Sequence, residues 1–208
     1  MQTKGVLVVV SGFSGAGKGT VMKALLEKYD NYALSVSATT RSPRPGEENG
    51  REYFFLTESQ FEDMIRNDEL IEHARYVDHY YGTPKKYVEE KMAAGKDVIL
   101  EIEIQGALNI KKKFPDALLV FIVPPTAEDL KKRLIGRGTE SAEVIEKRLR
   151  RAAEESDGMD SYDYIVVNDE VDTCVEDLHS LIRSSHFKES ANTDLVARMK
   201  QELHDMTK

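Results

Sequence analysis

Gly12-Phe13-Ser14-Gly15-Ala16-Gly17-Lys18-Gly19-Thr20 carries the first recognisable chemistry in the chain. Glycines at this density let a backbone wrap an anion with successive N–H groups turned inward, and a helix beginning at the end of the turn adds its positive pole. A lysine directly after the last required glycine reaches the outer phosphates and follows charge onto a leaving group. The spacing is G-x-x-x-x-G-K, which predicts a cradle for a nucleoside triphosphate lined by Ser14, Gly15, Ala16, Gly17, Lys18, Gly19 and Thr20. Gly19 stands where a metal-ligating hydroxyl is usual, and the hydroxyl comes one step later at Thr20. No direct protein ligand to a metal is therefore expected. Mg²⁺ would be held by nucleotide phosphates and water, near Thr20.

A second group of residues suits a phosphorylated acceptor. Arg41 and Arg44 lie three apart on a proline-stiffened loop, Ser37 to Glu47. Guanidinium forks match the fixed geometry of a phosphate better than lysine does, and Tyr53 and Tyr81 supply further hydroxyl donors. Glu72, ending Leu70-Ile71-Glu72, bears on the choice of base. Guanine offers N1–H and its exocyclic amine as adjacent donors, which one carboxylate accepts together, whereas adenine offers an acceptor at N1. A site built on such pairing rejects the wrong base because buried groups are left unpaired. Ser37 and Thr83 are placed as donors to guanine O6 or N7.

Arginines recur between residues 131 and 151, among them Arg133, Arg137, Arg148 and Arg151. Their bland reading is helix-surface charge paired with Glu140, Glu143 or Glu146; their functional reading is charge stabilisation on a mobile lid. Cys174 reads as a packed or surface thiol, and the five histidines show no metal-ligand spacing.

Short apolar runs alternating with helical patterns must position these groups. Val6–Val10, Ala33–Ser37, Asp97–Ile104, Ala117–Val123 and Tyr164–Val167 read as buried strands. Helical periodicity covers Thr20–Lys28, Pro84–Ala94, Ala107–Lys113, Thr126–Arg137, Ala142–Glu155 and Val171–Ser184. Such alternation predicts an α/β fold, a parallel sheet flanked by helices. Residues 37–83 break the rhythm and read as an inserted subdomain, with Tyr53–Leu56 a short strand and Thr57 with Gln60 a capping box. The expected division is a core of residues 1–36, 84–130 and 152–187, the insert 37–83, a lid 131–151 and a tail 188–208. In the tail, Leu195, Val196, Met199 and Leu203 fall on one helical face.

Bulk composition narrows the partners. The 208 residues fit one α/β domain with inserts, at 40% hydrophobic and 32% charged. A net charge of −8 makes the chain a poor general binder of nucleic acid, so no nucleic-acid partner is expected. The apolar run near the N-terminus is too short for a signal peptide or a membrane span, and one cysteine suits a reducing compartment. A cytoplasmic location without membrane contact is expected.

Taken in order, the segments Gly12–Thr20, Ser37–Gly46, Gly50–Phe55, Tyr81–Pro84, Leu100–Gly106, Arg133–Gly138 with Arg148, and Asn168-Asp169 closely resemble those of guanylate kinases, over about residues 5–187. The resemblance implies the P-loop NTPase fold with an inserted GMP-binding subdomain and a helical lid. It implies reversible transfer of the ATP γ-phosphoryl group to GMP, with Mg²⁺, in purine metabolism and GMP recycling. By the same resemblance Ser37, Arg41, Arg44, Tyr53, Glu72, Tyr81, Thr83, Glu101 and Glu103 line the GMP site, and Lys18, Arg44, Arg137 and Arg148 serve catalysis. Arg133 and Asn168 join the ATP site. Glu101 and Glu103 replace aspartates common in the family, which leaves open which one orients metal-bound water and which touches GMP. Deoxy-GMP is a second acceptor that no residue here rejects, and a monomer or small homo-oligomer is expected. Two other readings compete: a non-catalytic module that binds phosphorylated partners, and a kinase for another nucleoside monophosphate. Lys18, Arg137 and Arg148 argue against the first, and Glu72 with the Ser37–Gly46 block against the second.

Overall fold

The computed structural model describes residues 4–76, 78–136 and 141–207. The apolar run after Gly5 forms strand β1 (Leu7–Gly12), and the glycine-rich turn leads into helix α1 (Lys18–Lys28). β2 (Tyr32–Leu34) and β3 (Ser37–Thr39) follow, then β4 (Tyr53–Phe55), α2 (Glu58–Arg66), β5 (Leu70–Tyr76) and β6 (His79–Pro84). The chain continues through α3 (Lys85–Ala93), β7 (Asp97–Glu101), α4 (Ile104–Lys113), β8 (Leu118–Val123), α5 (Ala127–Gly136) and α6 (Ala142–Ser156). β9 (Tyr164–Val167), α7 (Val171–Ser185) and α8 (Thr193–Met206) complete it.

Five strands build a parallel core sheet in the order β2-β7-β1-β8-β9. Parallel strands need crossovers, and helices supply them on both faces, which is why β1 and β8 read as unbroken apolar runs. Alternation along β1 sends Val8 and Val10 to the face covered by Val21, Met22 and Leu25 of α1 and by Cys174, Val175, Leu178 and Ile182 of α7. Leu7 and Val9 face Val88 of α3 with Ala107 and Ile110 of α4. Asp97, 3% exposed, ties the base of the sheet together: its carboxylate accepts from Val6 N at 2.8 Å and from Asn31 Nδ2 at 3.2 Å.

A second sheet, β4-β3-β6-β5, stands apart from the first. Phe61 of α2, Ala38 and Leu70 are its buried centre. The capping box forms as read: Thr57 Oγ1 accepts from Gln60 N at 3.2 Å, and Thr57 N donates to Gln60 Oε1 at 2.9 Å.

Two strand readings are corrected. Ala33–Ser37 is not one strand, because the chain changes sheets there. Ser35 N still bonds Ile99 O of the core at 2.8 Å, while Ser37 already pairs with Tyr53 in the second sheet. The strand Asp97–Ile104 stops at Glu101, and Ile104 opens α4 from an extended Glu103. A short apolar run has the same appearance in either element. β5 and β6 escaped the sequence reading altogether, since Glu72, His73, Arg75 and His79 interrupt any apolar alternation.

Candidate active site

The glycine-rich turn sits at the C-terminal end of β1, where parallel sheets place their ligand crevices. Gly17 takes φ 89° as the residue before α1, and a side chain there would meet Asn168 Nδ2 at 2.5 Å. Only glycine satisfies both demands. Lys18 Nζ donates to Gly12 O at 2.5 Å and Phe13 O at 3.4 Å, holding the ammonium over the loop it follows. Asn168, at the end of β9 and 3% exposed, supports the loop from beneath by donating from Nδ2 to Ala16 O at 2.7 Å. Its Oδ1 is buried with no protein donor among the described residues. Arg133 on α5 braces the same place, with Nη2 to Asn168 O at 2.8 Å and Nη1 to Ala16 O at 3.4 Å.

From α6, Arg148 Nη1 donates to Ser14 Oγ at 2.8 Å, so this arginine already lies on the phosphate loop. One turn on, Arg151 holds Glu103 Oε2 at 2.6 Å and Glu155 Oε1 at 2.9 Å. Arg137 lies outside the described residues. Lys18, Ser14, Ser37, Tyr53, Glu101 and Arg148 share the walls of one cleft of about 710 Å³. The phosphate loop and the near edge of the second sheet thus open into a common space.

On the second sheet, Arg41 grips both carboxylate oxygens of Glu47 at 2.9 and 3.0 Å and lies 5.4 Å over the Tyr53 ring. Glu47 also accepts from Arg44 N at 2.7 Å, and this backbone bond, with Arg41 behind it, holds its carboxyl below the usual carboxylate range. Sequence reasoning gave Glu47 no role, although the signal lay six residues past Arg41. Arg44 itself is exposed. The Tyr53 and Tyr81 rings meet edge to face at 6.1 Å, and burial raises the Tyr53 hydroxyl above its ordinary pKa.

Glu72 is the buried carboxylate of this sheet, 9% exposed on β5. Thr83 Oγ1, fully buried on β6, donates to Glu72 Oε1 at 2.9 Å. The threonine proton is therefore directed at the carboxylate, and not free for a base acceptor as the sequence suggested. Burial pushes the Glu72 carboxyl above its ordinary pKa, against the opposing pull of the Thr83 hydrogen bond and the Lys113 ammonium. Lys113 Nζ donates to Ile71 O at 3.3 Å, a neighbour that nothing in its spacing announced. Gly82 is the close-approach position: a Cβ there would lie 2.8 Å from Glu72 O and 3.0 Å from the Phe61 ring.

A parallel α/β sheet whose first strand runs through a glycine-rich, lysine-ended turn into a helix, facing a second sheet of arginines and a buried carboxylate, defines a nucleotide-binding kinase. The guanylate kinase family model matches residues 4–185. Guanylate kinase of Lactococcus lactis subsp. lactis is 51% identical over 188 residues, covering 90% of this chain and 92% of its own. That of Caldanaerobacter subterraneus subsp. tengcongensis is 48% identical, covering 97% of this chain and 98% of its own. The crystal structure of guanylate kinase from Anaplasma phagocytophilum superposes with a TM-score of 0.70 at 32% identity, over 90% of this chain and 89% of that one. The chain belongs to the guanylate kinase family.

Proposed function

We propose that this chain transfers the γ-phosphoryl group of ATP to GMP, giving ADP and GDP, and runs the reaction in reverse when products dominate. The observation that carries the reading is the buried Glu72–Thr83 pair, which sits on the sheet whose edge shares a cleft with Lys18 and the phosphate loop. Glu72 accepts from guanine N1–H and the exocyclic amine, and Thr83 keeps the carboxylate in register for both. Arg41, Arg44, Tyr53 and Tyr81 take the GMP phosphate, with Glu47 fixing the approach of Arg41. Ser37 lines the cleft with Tyr53.

The acceptor is a phosphate oxygen already ionised near neutral pH, so the reaction needs no general base. Catalysis is alignment and charge stabilisation. Backbone N–H groups of residues 14–20, a P-loop, take the ATP phosphates, and Lys18 turns from the Gly12 carbonyl to the bridging charge. Arg148 is positioned from α6 for the transferring group, a role the family resemblance also assigns to Arg137, while Arg133 and Asn168 shape the nucleotide end of the loop. Among the described residues no three His, Cys, Asp or Glu side chains gather as a metal site. With Gly19 lacking a hydroxyl, the donors present fit Mg²⁺ arriving on ATP rather than a resident ion. When bound, the cation neutralises β- and γ-phosphate charge. Glu101, at the end of β7 beside Val10 of β1, and Glu103, held by Arg151, both line the cleft; one would orient the water of the cation and the other would meet the acceptor.

This reading places the second sheet, residues 37–83, as the GMP-binding subdomain and residues 131–151 as the lid. It places the enzyme in cytoplasmic purine metabolism, recycling GMP, where a buried Cys174 thiol is at ease. No described helix is long and apolar enough to cross a membrane. Phosphorus NMR of ATP, GMP and Mg²⁺ with the protein tests the reaction itself. Resonances of GDP and ADP should grow together, slowed on the order of 10²–10³-fold in Lys18→Ala. Appearance of ADP and free phosphate without GDP would replace the kinase reading with ATP hydrolysis.

A further inference from the structure

Phe13 stands at a position of the phosphate loop where the G-x-x-x-x-G-K spacing asks for nothing in particular. A loop that wraps an anion works through its backbone N–H groups, so an aromatic ring there has another cause. Its packing supplies one. The ring lies against the core cluster that α1 and α7 close over β1, and it meets the fully buried Phe121 of β8 edge to face at 5.1 Å. It also packs on a separate apolar cluster, Leu130 and Leu134 of α5 with Ala152 of α6, which Ile145 and Leu149 extend along α6. Among the described residues no other belongs to both clusters.

The loop is fitted to these helices at a second point. A Cβ at Gly15 would lie 2.9 Å from Leu134 Cδ2, so the backbone itself runs against α5. The main chain of Phe13, meanwhile, is part of the cradle: its carbonyl accepts from Ala16 N at 3.0 Å and from Lys18 Nζ at 3.4 Å. One residue thus carries a helix contact on its ring and the turn of the loop on its backbone.

Arg148 and Ala152 are four residues apart and share a face of α6. Ala152 belongs to the cluster under the Phe13 ring, while Arg148 reaches Ser14, the next residue of the loop, at 2.8 Å. An exposed arginine contact is weak and costs side-chain entropy, so it does not by itself fix where a helix stands. Close apolar packing does, because it tolerates little displacement. We infer that Phe13 is the positioning residue for Arg148, its ring seating α6 at the distance from the phosphate loop that Arg148 needs. The inference rests on the action proposed above for Arg148 at the transferring group. There a misplacement of about 1 Å costs on the order of 10²-fold in rate.

A double-mutant cycle of Phe13→Ala and Arg148→Ala tests this, read in kcat with ATP, Mg²⁺ and GMP and in ATP affinity by calorimetry, with thermal melts to establish folding. Phe13→Ala should lower kcat roughly 10- to 100-fold with little change in KM for GMP. In the Arg148→Ala background the same substitution should cost about twofold or less. Phe13→Leu, which keeps apolar bulk between helix and loop, should restore most of kcat. If Phe13→Ala does not fold, Ala152→Val takes its place, crowding the contact from α6 and losing its effect in the same way without Arg148. Equal fold-losses with and without Arg148 would overturn the inference, as would an unchanged kcat in the single variant. A parent that binds ATP but does not turn over GMP would overturn the kinase reading instead. The cycle in ATP affinity then decides the inference alone: coupling between the two substitutions supports it, and additivity overturns it.

Discussion

Glu72 combines two opposed requirements in one side chain. Its burial disfavours the ionised form, yet the guanine recognition proposed for it needs that form to accept two donors. Without GMP, the folded carboxyl holds its proton to higher pH than the 4.5 of an unhindered glutamate. Its contribution to stability is therefore fully present below that value and is lost as pH rises through the raised folded pKa. GMP binding works in the other direction, favouring the carboxylate. Glu72→Gln should then melt at a higher temperature than the parent at neutral pH in the absence of ligand. It should also lose roughly 10- to 150-fold in GMP affinity, the worth of a hydrogen bond to a charged group. Calorimetry across pH checks the coupling: as pH drops through the Glu72 pKa, GMP affinity of the parent should fall more steeply than that of Glu72→Gln, whose fall reports only protonation of the GMP phosphate. A parallel fall in both proteins would remove Glu72 from base recognition.

At the scale of elements, the second sheet exists to bring Glu72 and Thr83 together across β5 and β6. Gly82 sits opposite His73 in that pairing and leaves no room for a Cβ. Gly82→Ala should cost about 1–3 kcal/mol in chemical denaturation, as over-packing does. Because the atom it meets first is the Glu72 carbonyl, it should also raise KM for GMP more than KM for ATP. Equal changes in both would mean that the strain spreads through the whole fold. These two strands also mark where the sequence stopped being legible. β1, β8 and β9 are apolar enough to read directly, and the capping box at Thr57 needs only its own four residues. β5 and β6 carry a mixture of charged and aromatic residues, which fits the proposal that one of their faces is a binding surface and not a core. Arg41, Glu72 and Lys18 stand out in the sequence by side-chain type and spacing. The Thr83–Glu72 bond depends on pairing across strands and the approach of Lys113 on a contact more than forty residues apart, which spacing does not encode. The Glu47 clamp is local, six residues from Arg41, and went unread because a loop carboxylate beside arginines has the same appearance as solvated charge.

Across the whole molecule, two sheets carry the two halves of the proposed reaction, and α6 reaches the phosphate loop through Arg148 and Glu103 through Arg151. Exposed contacts of this kind, one an arginine–hydroxyl hydrogen bond and the other an ion pair, are individually weak, so ligands readily exchange them for phosphate contacts. Small-angle scattering should show the radius of gyration falling when GMP and a non-hydrolysable ATP analogue bind together, and less with either alone. An unchanged radius with both would contradict closure of the second sheet and α6 over the cleft. The parallel order of the core was legible from strand–helix alternation. The change of sheet between Ser35 and Ser37 was not, because it rests on which partner strand is nearer and leaves no mark in composition.

The central claim, that a P-loop phosphate donor site faces a guanine-selecting carboxylate, is tested most directly by kcat/KM for GMP, AMP, CMP and UMP with ATP and Mg²⁺, in the parent and in Glu72→Gln. The account predicts turnover with GMP well above the other three acceptors in the parent, and a collapse of that preference in the variant through loss of GMP activity. Efficient turnover of AMP by the parent, or an acceptor preference unchanged by Glu72→Gln, would contradict it.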